Sequence, residues 1–314
     1  MAVTIQAEAP EAKKAPVHQP VARIALIGNP NSGKTSLFNQ LTGLNQKVGN
    51  FPGVTVDKKT GISQLTPNLK AQIIDLPGTY SLYPKSLDER VIIDLLYDPE
   101  SKHYPDLVIV TADASNLKRN LLLFTQLADL RIPAVLALNM MDVAETEGVK
   151  IDIEALQREL GVPVIPMNAR KGVGIAALKI VTSQQLAPTK AAFFEIPEEL
   201  KTVVSQIKER FGLRNDYLAL HYAHQYKSLR FLSEEDKVWL EGLLSAADFK
   251  SNTVQANETI ARYIRINELL LDVVRVEKVK EEEKFSNRLD QILTHKVFGY
   301  LIFLGLLFLV FQAV

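Results

Sequence analysis

Short apolar runs alternate with amphipathic stretches over the first part of the chain. The runs are continuous rather than alternating, as in parallel strands that are buried on both faces. The stretches between them repeat apolar residues at helical spacing. This order predicts an α/β domain over residues 21–187, with a mostly parallel sheet and helices on both faces. The predicted strands are Val21–Ile27, Ala71–Ile74, Leu107–Ala112, Ala134–Leu138 and Val162–Pro166, and the predicted helices are 36–41, 87–96, 117–130 and 153–160.

The pattern changes after Pro188. Residues 198–211, 215–230, 233–248 and 254–272 have helical spacing and no clear strand pattern follows, so we predict an all-helical domain over residues 188–284. The charge run 275–284 is expected to be a solvated helix, because opposite charges alternate within it.

The two ends of the chain differ from these domains and from each other. Residues 1–20 are rich in Ala, Pro and charge, which predicts a flexible tail. Residues 297–314 carry no charge and approach the length of a membrane span. We therefore predict a juxtamembrane segment and a first, incomplete membrane helix over residues 285–314, with a buried core helix as the alternative. His295 and Lys296 would keep the preceding residues, up to about 295, on the cytoplasmic side.

Composition narrows the function classes. The chain has 314 residues, 36 basic and 36 acidic, and no cysteine. The neutral balance argues against a nucleic-acid binder, and the missing cysteines exclude disulfides, Fe–S clusters and cysteine nucleophiles. An enzyme acting on RNA or ribosomes stays a weak third possibility.

A phosphate-binding loop follows the first predicted strand. Gly28–Thr35, GNPNSGKT, matches the pattern G-x-x-x-x-G-K-[ST] and precedes a predicted helix. Glycines let successive backbone N–H groups turn towards phosphate oxygens, and the helix N-terminus adds its dipole. Lys34 would reach the β- and γ-phosphates, and the Thr35 hydroxyl would bind Mg²⁺.

Three further elements follow in the order that a GTPase requires. Asp75–Gly78 (DLPG) ends a predicted strand and could hold a Mg²⁺-bound water and the γ-phosphate. Asn139–Asp142 (NMMD) follows another strand, and the Asp142 carboxylate could accept both guanine donors. Asn168–Arg170 follows the last strand, where a backbone N–H could meet guanine O6.

These motifs together resemble the N-terminal part of the bacterial ferrous iron transport protein B family. The resemblance is carried by residues 28–43, 48–61 (VGNFPGVTVDKKTG), 75–82 (DLPGTYSL), 113–121 (DASNLKRNL) and 138–142. It implies a P-loop GTPase domain of the small-GTPase type, a helical domain that tunes nucleotide release, and a membrane domain that carries Fe²⁺.

The resemblance also implies roles for individual residues. Switch I would run from about Asn45 to Lys58, and switch II from Asp75 to about Arg90. Lys34, Asn31, Thr55 and Gly78 would be catalytic. Mg²⁺ would be held by Thr35, Thr55 and, through water, Asp75; K⁺ would be held by Asn31 and by the carbonyls of Gly49 and Phe51. The residues expected to bind GTP are Gly28, Asn29, Pro30, Asn31, Ser32, Gly33, Lys34, Thr35, Ser36, Gly53, Val54, Thr55, Val56, Asp75, Leu76, Pro77, Gly78, Asn139, Met140, Met141, Asp142, Asn168, Ala169 and Arg170.

Three positions depart from common GTPase patterns. Thr79 stands where Ras-like proteins place a water-orienting glutamine, so hydrolysis should be slow or depend on backbone groups. Met140 replaces a common lysine, which could weaken guanine binding. Asn168 replaces the more usual serine, which leaves the rate of nucleotide release open.

The leading hypothesis is a potassium-stimulated GTPase that forms the cytoplasmic part of a ferrous iron transporter in the bacterial inner membrane. The alternative is a membrane-tethered GTP sensor with slow hydrolysis. Expected partners are guanine nucleotide, a membrane domain beyond residue 314, small accessory transport proteins and further copies of the chain, but no nucleic acid. His221 and His224 share a helix face, and we expect structural histidines there rather than a metal site.

Overall fold

A seven-stranded sheet forms the centre of the computed structural model, which describes residues 22–43, 46–50, 57–101, 103–277, 293–295 and 298–313. Its strand order is β2-β3-β4-β1-β5-β6-β8, in which β4, β1, β5, β6 and β8 pair in parallel and β2 and β3 are antiparallel. The strands are β1 (Ala22–Gly28), β2 (Gln46–Asn50), β3 (Asp57–Thr66), β4 (Leu69–Asp75), β5 (Leu107–Asp113), β6 (Ala134–Asn139), β7 (Val149–Ile151), β8 (Val164–Pro166) and β9 (Val274–Val276).

Helices cover both faces of this sheet. On one face, α1 and α6 bury Phe38 and Leu178 against residues such as Ile73. On the other face, α2, α3 and α5 form a larger core that also contains residues of α7 to α10. The helices are α1 (Lys34–Thr42), α2 (Leu87–Leu96), α3 (Leu117–Asp129), α4 (Met141–Thr146), α5 (Ile153–Leu160), α6 (Ile175–Thr182), α7 (Glu198–Phe211), α8 (Asp216–Gln225), α9 (Glu234–Ala246), α10 (Ser251–Val273) and α11 (Phe298–Ala313).

The predicted mostly parallel sheet with helices on both faces is confirmed. The five predicted strands correspond to β1, β4, β5, β6 and β8. The strands β2 and β3 were not predicted, because QKVGN and DKKTGISQLT are largely polar and contain no continuous apolar run. β2 lies at the edge of the sheet and β3 lies next to it.

The prediction that no strand follows Pro188 is wrong. Val274–Val276 pairs antiparallel with Val149–Ile151 of β7, and Lys150 forms an ion pair with Glu277. The expected helix over residues 275–284 is therefore wrong at its start, since the alternating Val-Arg-Val sequence completes a two-stranded ribbon. Residues 278–284 lie outside the described part of the chain, as do the predicted tail over residues 1–20 and residues 285–292.

The apolar C-terminal stretch forms helix α11, in which large apolar side chains such as Leu304 and Phe308 are exposed. Among the described residues, none of the helices combines the length and apolar character required to cross a membrane.

A network of buried charges joins α3 to α10. Arg262 is fully buried; its Nε donates to Glu258 at 2.7 Å and its Nη1 donates to Asp129 at 2.8 Å. The hydroxyl of Tyr217 donates to the same Glu258 carboxylate at 2.6 Å. Burial raises the pKa of Glu258, but the Arg262 charge and the hydroxyl donors outweigh burial and hold the pKa below its usual value. Glu258 therefore stays ionised inside the protein.

His221 and His224 pack beside this network and serve as core residues, as expected. The His221 ring lies between Tyr83, Tyr97 and Tyr217, and neither of its nitrogens has a hydrogen-bond partner among the described residues. Burial lowers the pKa of His221 to about 3 and the pKa of His224 to about 4. Both rings are therefore neutral at pH 7, and no metal-binding cluster of acidic or histidine side chains occurs in the described ranges.

Acidification is expected to destabilise the fold through these histidines. Unfolded histidine binds a proton near pH 6.5, whereas the buried rings stay neutral, so the unfolded state gains protons first. The free energy of unfolding should thus fall by up to about 1.4 kcal/mol per pH unit for each ring between pH 6.5 and 5. Urea unfolding at several pH values measures this slope. His221→Leu should lower this slope by the contribution of one histidine, up to about 1.4 kcal/mol per pH unit. An unchanged slope would show that His221 is not the buried neutral ring that the structure indicates.

Candidate functional site

The loop between β1 and α1 presents backbone groups at the carboxyl edge of the sheet. β1 ends at Gly28, and α1 begins at Lys34 with no side chain capping its first turn. Asn31 and Gly33 have positive φ values of 66° and 85°, which turn the loop back on itself. A Cβ on Gly33 would lie 2.1 Å from Nδ2 of Asn139, so the position requires glycine. The open N-terminus of α1 is suited to bind an anion.

Asn139 connects this loop to two other predicted elements. It ends β6 and is buried; its Nδ2 donates to the Ser32 carbonyl at 2.9 Å, and its Oδ1 accepts from Ala169 N at 2.8 Å. One side chain thus holds the phosphate loop and the loop after β8 in fixed positions. The adjacent Met140 adopts φ 61° at the start of α4, which directs the chain towards Asp142.

The elements meet around a cleft of about 740 Å³. These elements follow the carboxyl ends of parallel strands, which lie at one edge of the sheet. Their placement is therefore consistent with the prediction that they form one site. The cleft is lined by Asn29, Pro30, Asn31, Gly33, Lys34, Thr35, Ser36, Gly78, Asn139, Met140, Asp142, Val143, Asn168, Arg170 and Lys171.

Two ion pairs join the charged groups of the cleft. Lys34 donates through Nζ to the Asp75 carboxylate, and both side chains are nearly buried. Lys171 donates to Asp142 at 3.1 Å near the surface, and this hydrogen bond lowers the pKa of Asp142. Sequence reasoning missed Lys171, although it directly follows the predicted loop element 168–170. In both pairs the carboxylate is neutralised by a neighbouring lysine.

Gly78 lies against the phosphate loop. A Cβ on Gly78 would be 3.2 Å from the Cα and N atoms of Pro30, and Thr79 N donates to the Gly28 carbonyl. Thr79 itself is buried, and its hydroxyl donates to the Ser81 carbonyl at 2.8 Å. The Thr79 side chain is therefore directed into the protein and does not line the cleft.

Several predicted residues lie elsewhere. The side chains of Leu76 and Ala169 are buried in the core and Met141 packs against it, so these positions could face a ligand only through the backbone. Gly49 lies in the edge strand β2 and does not line the cleft. The predicted residues Phe51, Gly53, Val54, Thr55 and Val56 lie outside the described residues.

Comparison with known proteins identifies relatives of this fold and site. The sequence profile of ferrous iron transport protein B matches residues 22–181. An Fe(2+) transporter FeoB of Legionella pneumophila is 37% identical over 302 residues, which cover 91% of this chain and 38% of the relative. The chain thus spans less than half of the length of that relative.

Solved structures agree with this match. The cytosolic domain of L. pneumophila FeoB has a TM-score of 0.69 and 36% identity, covering 81% of this chain and all of that domain. A mutant of S. thermophilus NFeoB, solved bound to GDP, has a TM-score of 0.64 and 35% identity with coverage of 81% and 100%.

The role of Asn139 can be tested by an isosteric change. Asn139→Asp keeps the acceptor for Ala169 N but replaces the donor to Ser32 with a buried carboxylate facing a carbonyl. The free energy of unfolding in urea should fall by about 2–3 kcal/mol.

Asn168→Asp is the matched control for this change. The Asn168 side chain caps a turn by accepting from Lys171 N, which a carboxylate does equally well. Its effect should stay below about 0.5 kcal/mol. Equal losses in the two variants would refute the linking role of Asn139.

Proposed function

The chain belongs to the ferrous iron transport protein B family, and from this membership we propose that its cleft binds and hydrolyses GTP as the cytoplasmic part of a ferrous iron transporter. The observation that carries the proposal is the meeting of the phosphate loop, Asp75–Gly78, Asn139–Asp142 and Asn168–Arg170 at one cleft. A relative solved with GDP bound supports the nucleotide class.

In this proposal different residues of the cleft bind different parts of the nucleotide. The amides of the phosphate loop and the N-terminus of α1 hold the phosphates, and Lys34 leaves Asp75 to reach the β- and γ-phosphates. Asp142 leaves Lys171 to accept the two guanine donors. The backbone around Ala169 faces the guanine carbonyl. Gly78, already against Pro30, places its N–H near the γ-phosphate.

The donor set at the phosphate end suits Mg²⁺. Thr35 and Asp75 supply hydroxyl and carboxylate oxygens, the ligand type that Mg²⁺ prefers, and the nearly buried Asp75 is an anion held beside the loop. When bound, Mg²⁺ would neutralise charge on the β- and γ-phosphates. Thr55 of switch I would complete this site, as the family resemblance implies.

K⁺ is proposed on the side of Asn31. The Asn31 amide lines the cleft next to Lys34, where a monovalent cation could offset charge developing on the γ-phosphate. The carbonyls of Gly49 and Phe51 are its proposed further ligands.

The wider context is also proposed from the family. Residues 21–187 would be the nucleotide domain and residues 188–284 a domain that regulates nucleotide release. Residues 285–314 would lead into the membrane domain, with residues up to about 295 on the cytoplasmic side of the bacterial inner membrane. Fe²⁺ would be the cargo of that domain, and accessory transport proteins and further copies of the chain would be its partners.

A GTP sensor with slow turnover is the second candidate, and the buried Thr79 favours it. The Thr79 hydroxyl is already bonded to the Ser81 carbonyl, so this side chain cannot orient the attacking water. Hydrolysis then relies on backbone groups and on the cations. A turnover far below the iron flux in intact membranes would support the sensor.

Phosphate release tests the enzymatic proposal. With Mg²⁺, the chain should release phosphate from GTP in preference to ATP, and KCl should exceed NaCl by about tenfold or more. Asn31→Gly should abolish the potassium advantage while keeping the loop, because glycine adopts φ 66° without strain. Equal rates in both salts for the unaltered chain would refute the K⁺ site, and no GTP turnover would refute the GTPase.

Base selection is tested at Asp142. Asp142→Asn replaces one carboxylate oxygen, an acceptor, with an amide N–H donor, so GTP affinity should fall by about ten- to a hundredfold. Xanthosine triphosphate carries a carbonyl where guanine has its exocyclic amine, so its affinity should rise. Titration with fluorescent analogues measures both. Asp152→Asn, a change at the N-cap of α5, is the matched control and should leave base choice unaltered. A GTP affinity that Asp142→Asn leaves unchanged would exclude Asp142 from base recognition.

A further inference from the structure

The segment that follows Gly78 is held from several directions. Leu82 N donates to Gln126 of α3 at 2.8 Å, and the Leu82 carbonyl accepts from Gln225 of α8 at 2.9 Å. Leu82 is buried, as is Tyr83 beside it. The sequence places this segment in the expected switch II, from Asp75 to about Arg90, yet its middle is fixed to two helices.

Tyr83 reaches further, to α10. Its hydroxyl donates to Oε2 of Glu258, which is fully buried. The other oxygen of Glu258 accepts from Tyr217 and Arg262, so the carboxylate is fixed by three donors. Arg262 is held in turn by Asp129 of α3. An ionised, fully bonded carboxylate is a strong and rigid acceptor for the Tyr83 hydroxyl.

The two ends of this short segment face different parts of the molecule. At one end Gly78 lies against Pro30, and Thr79 N donates to the Gly28 carbonyl of the phosphate loop. At the other end, five residues later, Tyr83 is bonded to Glu258. A shift of α10 would therefore pull on Gly78 through very little intervening chain.

We propose that Glu258 is a positioning residue for GTP hydrolysis, which acts by holding Tyr83 and thereby keeps Gly78 against the phosphate loop. The proposal rests on the proposed GTPase function and specifies its regulation, since it makes the position of switch II depend on α10. Glu258 lies far along the chain from every nucleotide motif and acts only through Tyr83.

Two variants separate this role from a general contribution to stability. Tyr83→Phe removes the hydroxyl on the switch II side, while Tyr217→Phe removes the equivalent hydroxyl on the α8 side of the same carboxylate. Each variant leaves Glu258 with one tyrosine donor and Arg262. The chemical change is the same, but only Tyr83→Phe separates switch II from α10.

Hydrogen exchange and GTP kinetics on the whole chain provide the readouts. Tyr83→Phe should speed amide exchange in residues 78–86 of the nucleotide-free protein. It should lower kcat for GTP about fivefold with KM nearly unchanged, because it affects the placement of Gly78 rather than binding. Tyr217→Phe should leave both readouts within about twofold of the unaltered chain.

Equal effects of the two variants on kcat would overturn the proposal, as would unchanged exchange in residues 78–86 of Tyr83→Phe. The exchange measurement does not depend on turnover. If the unaltered chain fails to hydrolyse GTP, the proposed function and the positioning role both fail. Faster exchange in Tyr83→Phe would in that case still show that Glu258 holds residues 78–86 in place through Tyr83.

Discussion

A guanidinium that is fully buried must have its charge met inside the protein, and this constraint holds the two halves of the molecule together. Arg262 of α10 meets it with Asp129 of α3 and Glu258 of its own helix. Removing one partner would leave an uncompensated buried charge, which is far more costly than losing a surface pair. The helical layer is thereby fixed against the face of the sheet on which Leu82 is buried. Tyr83 donates its hydroxyl to the same Glu258 carboxylate.

The proposed nucleotide cleft differs from this buried network, because a ligand could replace the partner of each of its paired charges. Lys34 with Asp75 and Lys171 with Asp142 are neutral as pairs, so these four charges are compensated within the protein. The nucleotide proposed for this cleft would exchange these contacts for its own rather than fill a site with uncompensated charges. The free energy of binding is then the difference between the contacts that the nucleotide makes and the ion pairs that it breaks. This difference favours reversible binding.

The sequence predicts the central architecture and the motifs well, since both depend on local signals. Continuous apolar runs mark the buried parallel strands, and the loop before Lys34 has a specific spacing. Two of the features that it did not predict depend on contacts distant in sequence. Val274–Val276 becomes a strand only because β7 lies beside it. Glu258 resembles any surface glutamate on α10 until the fold brings Tyr83, 175 positions away, to its carboxylate. No periodicity encodes such a contact.

The two-stranded ribbon of β7 and β9 is the place where a force on the following chain would act on the folded domain. β9 follows α10 directly, and Glu277 N donates to the Gly148 carbonyl, two residues beyond the end of α4. A force on the chain at Glu277 would therefore act first on β7 and on Gly148, beyond the end of α4 that lies opposite Asp142. With the base at Asp142, as proposed, such a force would reach the nucleotide site through α4. Linkage is reciprocal, so a nucleotide bound at Asp142, as proposed, would in turn stabilise the pairing of β7 with β9.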